Sequence, residues 1–203
     1  MPSHPLSLVL KRWKFVLLFG AILAILSGGA TVFFPLEYRA DAQVLIISKS
    51  RYGVDPYTVV KSAERVGENI VAVMKTDDFR DKVRAQPGYA IDWGRFDALN
   101  ERARRRAWPE MVGSSVVYGT GVLNVSAYHP NPDQARALAG ASVGALESRA
   151  WEYVGGDVIL KVVNTPVVTR WPVRPNLALN TVLGGVVGVI LAGFAVSRRP
   201  ERA

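Results

Sequence analysis

The sequence predicts an α/β extracytoplasmic domain, a mixed and largely antiparallel sheet with packed helices, carried between two transmembrane helices. Three observations predict it. Two uncharged apolar runs, FVLLFGAILAILSGGATVFF (15–34) and LALNTVLGGVVGVILAGFAV (177–196), are each about twenty residues long, the length a helix needs to cross a hydrocarbon core roughly 30 Å thick. Between them, segments of strand period alternate with segments of helical period. Basic residues flank the outer side of each run: Lys11, Arg12 and Lys14 before the first, Arg198, Arg199 and Arg202 after the second. By the positive-inside rule both termini are cytoplasmic and the intervening domain is external.

The expected organisation is a cytoplasmic tail (1–14), a first span (15–34), an external domain (35–176) ending in a stalk (165–176), a second span (177–196) and a second cytoplasmic tail (197–203). An alternative for the first run is a cleaved signal peptide, since Gly28 and Ala30 are small residues at peptidase spacing. The apolar run continues past that point through Val32, Phe33 and Phe34, and the basic end of the second run favours a membrane hairpin. Most of the formal charge of +8 lies in the tails, whose six basic residues are offset by Glu201 alone, so the basicity is chiefly a topology signal. With the remaining arginines outside the membrane, a nucleic-acid role is a poor fit. The chain has no cysteine, which excludes a disulfide framework and thiolate chemistry.

The external domain opens with EYRADAQVLIISK, in which Ala40, Ala42, Val44 and Ile46 alternate with Arg39, Asp41 and Gln43, the signature of a strand with one buried face. After Tyr52-Gly53 a helix begins near Pro56, and Val59, Ala63, Val66, Ile70 and Val73 form its packing stripe. Thr76 caps a short helix with Asp77 and Asp78 in its first turn, which Gln86-Pro87-Gly88 ends. A further helix is predicted over 96–107, stopped by Trp108-Pro109. SSVVY and GVLNVSAY flank Gly119-Thr120-Gly121 as a hairpin, with Leu123, Val125 and Ala127 on one face and Asn124 and Ser126 on the other. Asn131, Pro132 and Gln134 supply a cap residue, a first-turn proline and a capping-box glutamine. The helix they start bears the stripe Ala139, Val143, Leu146, Ala150 and Tyr153 and ends at Gly155-Gly156. DVILKVVN is the closing strand. The first strand leaves the membrane and the last returns to it, so the two are expected as antiparallel neighbours. Pro166, Pro172 and Pro175 each lack a backbone donor and bias the preceding residue toward extended geometry, which makes 165–176 a stiff non-helical stalk.

Few residues suggest catalysis. His4 lies in the tail and His129 at a strand end before proline, where a surface-loop role is the plainer account. No metal-ligand spacing and no GxxxxGK[ST] phosphate loop is present, and Asp77, Asp78 and Asp81 read as acids complementing a helix N-terminus. No cofactor is expected. Arg102, Arg104, Arg105 and Arg106 are a candidate contact for an anionic glycan, because guanidinium forks bind phosphate and carboxylate bidentately. The plainer reading is a solvated helix face with Glu101 and Glu110 as local partners. Gly20, Ala24 and Gly28 on the first span and Gly184, Gly188 and Ala192 on the second form ridges of small residues at four-residue spacing, a helix-packing device in lipid. Trp13 and Trp171 stand where interfacial anchors are expected.

The order of these parts resembles the Wzz-type chain-length determinants, or polysaccharide co-polymerases. It also resembles the short membrane adaptors of bacterial tyrosine kinases in the same superfamily. The resemblance rests on the basic tail and first span, the strand Tyr38 to Ile47, GVLNVSAYHPNPDQARALA before a long helix, and VILKVVNTPVVTRWPVRPN entering a glycine-rich span. Two departures stand out: the gap between Pro166 and Pro172 is wider than the family's stalk spacing, and the external domain lacks the length of the tall bell-forming members, which places the resemblance with the short forms. The resemblance implies a non-catalytic homo-oligomer in the inner membrane that sets how far a partner polymerase extends a surface polysaccharide. A cytoplasmic tyrosine kinase is the alternative partner, although Ser197 to Ala203 offers it little surface. A two-span sensor whose external domain binds a small ligand is the third reading.

Overall fold

Alternating side chains in the segment after the first apolar run build the strand on which the domain is assembled. The computed structural model describes residues 10–48, 55–149, 151–154 and 158–198. His4, the Tyr52-Gly53 turn, Ala150, the Gly155-Gly156 helix end, Arg199, Glu201 and Arg202 lie outside the described residues. The elements in chain order are α1 (Trp13–Thr31), β1 (Tyr38–Ser48), α2 (Pro56–Val73), α3 (Asp77–Arg84), α4 (Gly94–Asp97) and α5 (Glu101–Met111). They continue with β2 (Val112–Val117), β3 (Val122–His129), α6 (Pro132–Arg149), α7 (Trp151–Val154), β4 (Val158–Val168) and α8 (Leu177–Ser197). The chain forms two compact units, one spanning Glu37–Pro172 and the other combining the flanking segments, up to Leu36 and from Val173.

Within the first unit the sheet order is β2-β3-β1-β4, and every neighbouring pair is antiparallel. The expected mixed sheet is therefore corrected to a wholly antiparallel one among the described residues. The reason lies in the connections. The helical crossover from β1 to β2 joins strands of the same direction, but β3 lies between them. The crossover from β3 to β4 likewise straddles β1. This βαββαβ order is the split arrangement of ferredoxin-like folds. β1 and β4 pair directly, from Ala40 with Val168 to Ser48 with Val158.

Helices cover one sheet face. Ala40, Ala42, Val44 and Ile46 of β1, Leu123, Val125 and Ala127 of β3 and Leu160 of β4 are buried beneath α2 and α6. In α2, Asp55 caps by accepting from Thr58 N–H at 3.2 Å, and Ala63 and Ile70 of the predicted stripe are buried. Gly67 lets this helix approach closely, since a Cβ there would stand 2.8 Å from Val116 Cγ2. α6 buries more than a stripe: Ala135, Leu138, Ala139, Gly140, Ala141, Ser142, Val143, Ala145 and Leu146 are all enclosed, because α3 flanks the helix while the sheet supports it.

Three local expectations change. The helix predicted over 96–107 divides into α4 and α5 at Asn100, whose side chain caps α5 by accepting from Ala103 N–H at 2.9 Å. α5 runs through Pro109 to Met111 rather than stopping at Trp108. Proline removes only its own donor there, and the fully buried Trp108, donating Nε1–H to Met74 O at 2.8 Å, anchors the helix. The predicted stalk is strand as far as Val168. Pro166 sits in β4, an edge strand, where the register slips between the Gln43–Asn164 and Asp41–Val167 pairs, a position that tolerates a missing donor. Beyond it Pro172 closes the first unit and Pro175, after a cis Arg174–Pro175 bond, precedes the Asn176 cap of α8.

Candidate functional site

In the second unit α1 and α8 are long and apolar enough to cross a membrane, and they pack on each other. The helix α1 ends at Thr31, with Val32, Phe33 and Phe34 forming a turn after it, whereas the sequence run extends to Phe34. The small-residue ridges meet within one chain. A Cβ on Gly20 would stand 2.6 Å from Val189 Cγ2 and one on Gly28 2.5 Å from Thr181 Oγ1, and one on Gly184 would collide with Ser27 Cβ. Ala24 faces Gly185, whose Cβ would lie 3.4 Å from that of Ala24. Ala192 is buried with Val16 and Val196 at the other end of the pair. Backbones this close gain dispersion contacts that lipid chains cannot supply.

Hydrogen bonds reinforce the ridge where sequence reasoning saw only an apolar run. Ser27 Oγ donates to Asn180 O at 2.9 Å, Asn180 Nδ2 donates to Thr31 Oγ1 at 3.1 Å, and Thr31 Oγ1 donates to Ser27 O at 2.8 Å. Polar side chains inside apolar runs were the available signal, since in lipid they seek a partner helix.

The arginine run does not form one site. Arg104 turns inward to donate to Leu99 O at 2.7 Å and Asp97 O at 2.8 Å. Arg105 pairs with Glu101 at 2.7 Å and Asp77 at 3.3 Å. Arg102 and Arg106 remain exposed on α5 with no ion pair among the described residues. The acids of α3 are occupied too: Asp77 meets Arg80 at 2.6 Å, and Asp81 the same arginine at 2.9 Å.

A tighter cluster ties α3 to α7. Lys82 Nζ donates to Glu152, to Tyr153 Oη at 2.7 Å, and lies 3.1 Å from Asp78, while the Tyr153 hydroxyl donates to Asp78. The hydrogen bond to Glu152 raises the Lys82 pKa, and Lys82 in turn holds the Glu152 carboxyl below its ordinary value. The Tyr153 hydroxyl, followed by Lys82, does the same to Asp78. Arg84 adds a bidentate pair with Asp97, both contacts at 2.7 Å, and lies over Trp93, which stacks on Trp108.

The uncovered face of the sheet carries a ladder across three strands. Asn164 Nδ2 donates to Gln43 Oε1 at 2.6 Å and Gln43 Nε2 to Asn124 Oδ1 at 2.9 Å; Ser126 Oγ and Arg39 Nε both donate to Asp41, at 2.6 and 2.8 Å. These groups line a shallow groove of about 590 Å³ and spend their hydrogen bonds chiefly on one another. His129 ends β3 with Nδ1 accepting from Asn131 N–H at 3.0 Å, and burial lowers its pKa, so it acts as a neutral turn cap. Among the described residues no three His, Cys, Asp or Glu side chains are grouped to hold a metal ion.

No protein-family model matches the chain, and no curated protein matches its sequence.

Proposed function

We propose that the protein is a non-catalytic regulator of the chain length of a bacterial surface or secreted polysaccharide, acting as a homo-oligomeric scaffold beside an integral polymerase. In this reading it sits in the inner membrane with both termini cytoplasmic and the sheet domain outside. The observation that carries the proposal is the β1–β4 pairing. Ala40 lies opposite Val168 and Thr169 N–H donates to Arg39 O at 2.8 Å, so the chain enters and leaves the domain through adjacent strands. Each of those strands is joined by a short connection to an apolar helix, and the two helices pair with each other. A domain held in this way is tethered at both ends next to any membrane-bound polymerase, placed to alter when a growing glycan is released. The order of elements, which resembles that of the polysaccharide co-polymerases, supports the same reading.

Deleting the protein should shift the length distribution of a surface or secreted polysaccharide while leaving its repeat-unit composition unchanged. Gel sizing of the polymer beside an anti-phosphotyrosine blot in one strain pair tests this. Loss of tyrosine phosphorylation with unchanged polymer length would replace the proposal with a kinase adaptor. No change in either would leave a two-span ligand sensor.

A further inference from the structure

The turn between β2 and β3 leans on α2 and creates a concavity that neither the ladder nor the helix pair explains. Gly121, at φ +66, accepts from Ile46 N–H at 3.0 Å, and a Cβ on it would stand 3.0 Å from Ala63 Cβ. The concavity, about 650 Å³, is bounded by Tyr57, Val60, Lys61 and Glu64 of α2 and by Tyr118 and Gly119 of the turn. Two features are unusual. Tyr57 and Tyr118 are 74% and 79% exposed, so two aromatic rings stand free on the rim. Glu64 is only 5% exposed, the one charged side chain among the buried described residues, and among those residues its donor is Lys61 Nζ at 3.0 Å. A carboxylate offers about four lone-pair sites, so beyond the bond from Lys61 it has accepting capacity to offer a ligand seated in the concavity it lines.

A ligand that suits this site must donate hydrogen bonds to Glu64 and offer an apolar face to a phenol ring. An organic cation and a sugar ring both meet that description, since aromatic faces attract cations and polarised C–H groups alike. Lys61 decides between them. Its ammonium neutralises Glu64 and would repel a second cation, while Glu64 would repel an anion. A neutral polyhydroxylated ring meets neither penalty: vicinal hydroxyls donate to Glu64, Lys61 donates to a hydroxyl oxygen, and the C–H face stacks on Tyr57 or Tyr118. We propose that this concavity binds a pyranose unit of a neutral glycan. The inference rests on the proposed function for the source of the glycan only, and it moves glycan contact away from the arginine run.

The test uses the full chain purified in detergent on an array of immobilised neutral and uronate-containing oligosaccharides, with Tyr118→Ala and Glu64→Gln beside the wild type. The expected result is retention on at least one neutral glycan, weakened tenfold or more by either substitution. Because Tyr118 is exposed, its replacement should leave the melting temperature unchanged, which keeps the comparison valid even where Glu64→Gln unfolds the domain. Absence of retention on every neutral glycan, retention undiminished in Tyr118→Ala, or competition by tetramethylammonium beyond that of sodium at equal ionic strength would each overturn the site. Polymer sizing in a Tyr118→Ala strain separates the two proposals. Lost array binding with unaltered polymer length leaves the site and detaches it from length control, whereas no array binding with a length shift on deletion rejects the site alone.

Discussion

A Cβ on Gly188 would stand 2.8 Å from the Cα of Gly20, with Leu23 Cβ at 3.0 Å and the Phe19 carbonyl oxygen at 3.1 Å. Two of those three atoms are backbone, so no side-chain rotation relieves a larger residue. Gly188→Leu should therefore weaken the α1–α8 pair by about 1–3 kcal/mol, the usual cost of overpacking. Val186, half exposed on α8, is the control, and Val186→Leu should fall within about 0.5 kcal/mol of wild type. Reversible unfolding in mixed micelles measures both. Equal stability of the two variants would show that the ridge contact contributes nothing.

The proposed topology rests on the basic residues at the outer ends of the apolar helices, Lys11 and Arg12 before α1, Lys14 in its first turn and Arg198 after α8. Reporter fusions at Ser3 and Ala203 should give a cytoplasmic signal, and one at Gly88, which sits at φ +86 with open space around it, an external signal. An external signal from the Ala203 fusion ends the hairpin arrangement.

Much of the sheet was legible because its code is local. Alternation through Ala40, Ala42, Val44 and Ile46 exposes one face per residue, and Gly119-Thr120-Gly121 marks its own turn. What escaped depends on partners distant in sequence. Gln134 looked like the closing member of a capping box; instead it accepts from Asp92 N–H at 2.7 Å and donates to Ala90 O at 3.1 Å, pinning a loop some forty residues upstream. Trp108 carries α5 past Pro109 because its indole finds Met74, which no spacing rule announces. The same holds for the candidate sites. The ridges could be read as packing surfaces from their spacing, but only the fold supplies each with the other. Tyr118 and Glu64 lie on different elements and share a concavity where Gly67 and Gly121 let α2 and the turn approach closely.

The Lys82 cluster sets an acid limit. Asp78 and Glu152 have folded pKa values depressed below 3.8 and 4.5, their ordinary values, so the stability they contribute is fully present above about pH 4.5 and is lost as pH falls through the lower folded values. Lys82 has the opposite sign: its raised pKa contributes stability below 10.5 that is lost only as pH climbs past it. Lys82→Met removes the shared partner. Its melting temperature should drop less than that of wild type between pH 7 and pH 3, from a lower starting point at pH 7. Parallel acid limbs in the two proteins would show that the cluster does not couple α3 to α7.

Gly119 and Gly121 bracket the turn and separate two costs that are usually confounded. Both adopt left-handed φ, +73 and +66, so alanine at either position bears the strain of a Cβ in that region, about 1–2 kcal/mol. At Gly119 nothing lies within 4 Å, and the strain is the whole effect. At Gly121 the new Cβ also meets Ala63 Cβ at 3.0 Å and the Ile46 carbonyl oxygen at 3.3 Å, and moving the turn to relieve that contact stretches the bond from Ile46 N–H to Gly121 O. Gly121→Ala should therefore destabilise more than Gly119→Ala in thermal or urea unfolding of the full chain. Ala63→Gly opens space beneath the turn at a helix-propensity cost of about 1 kcal/mol. If the contact with α2 is what Gly121 avoids, the double variant should be more stable than the two single losses added together, with a coupling of about 0.5 kcal/mol or more. Strict additivity would mean that the turn does not bear on α2, and Tyr118 would then have no fixed position beside Glu64.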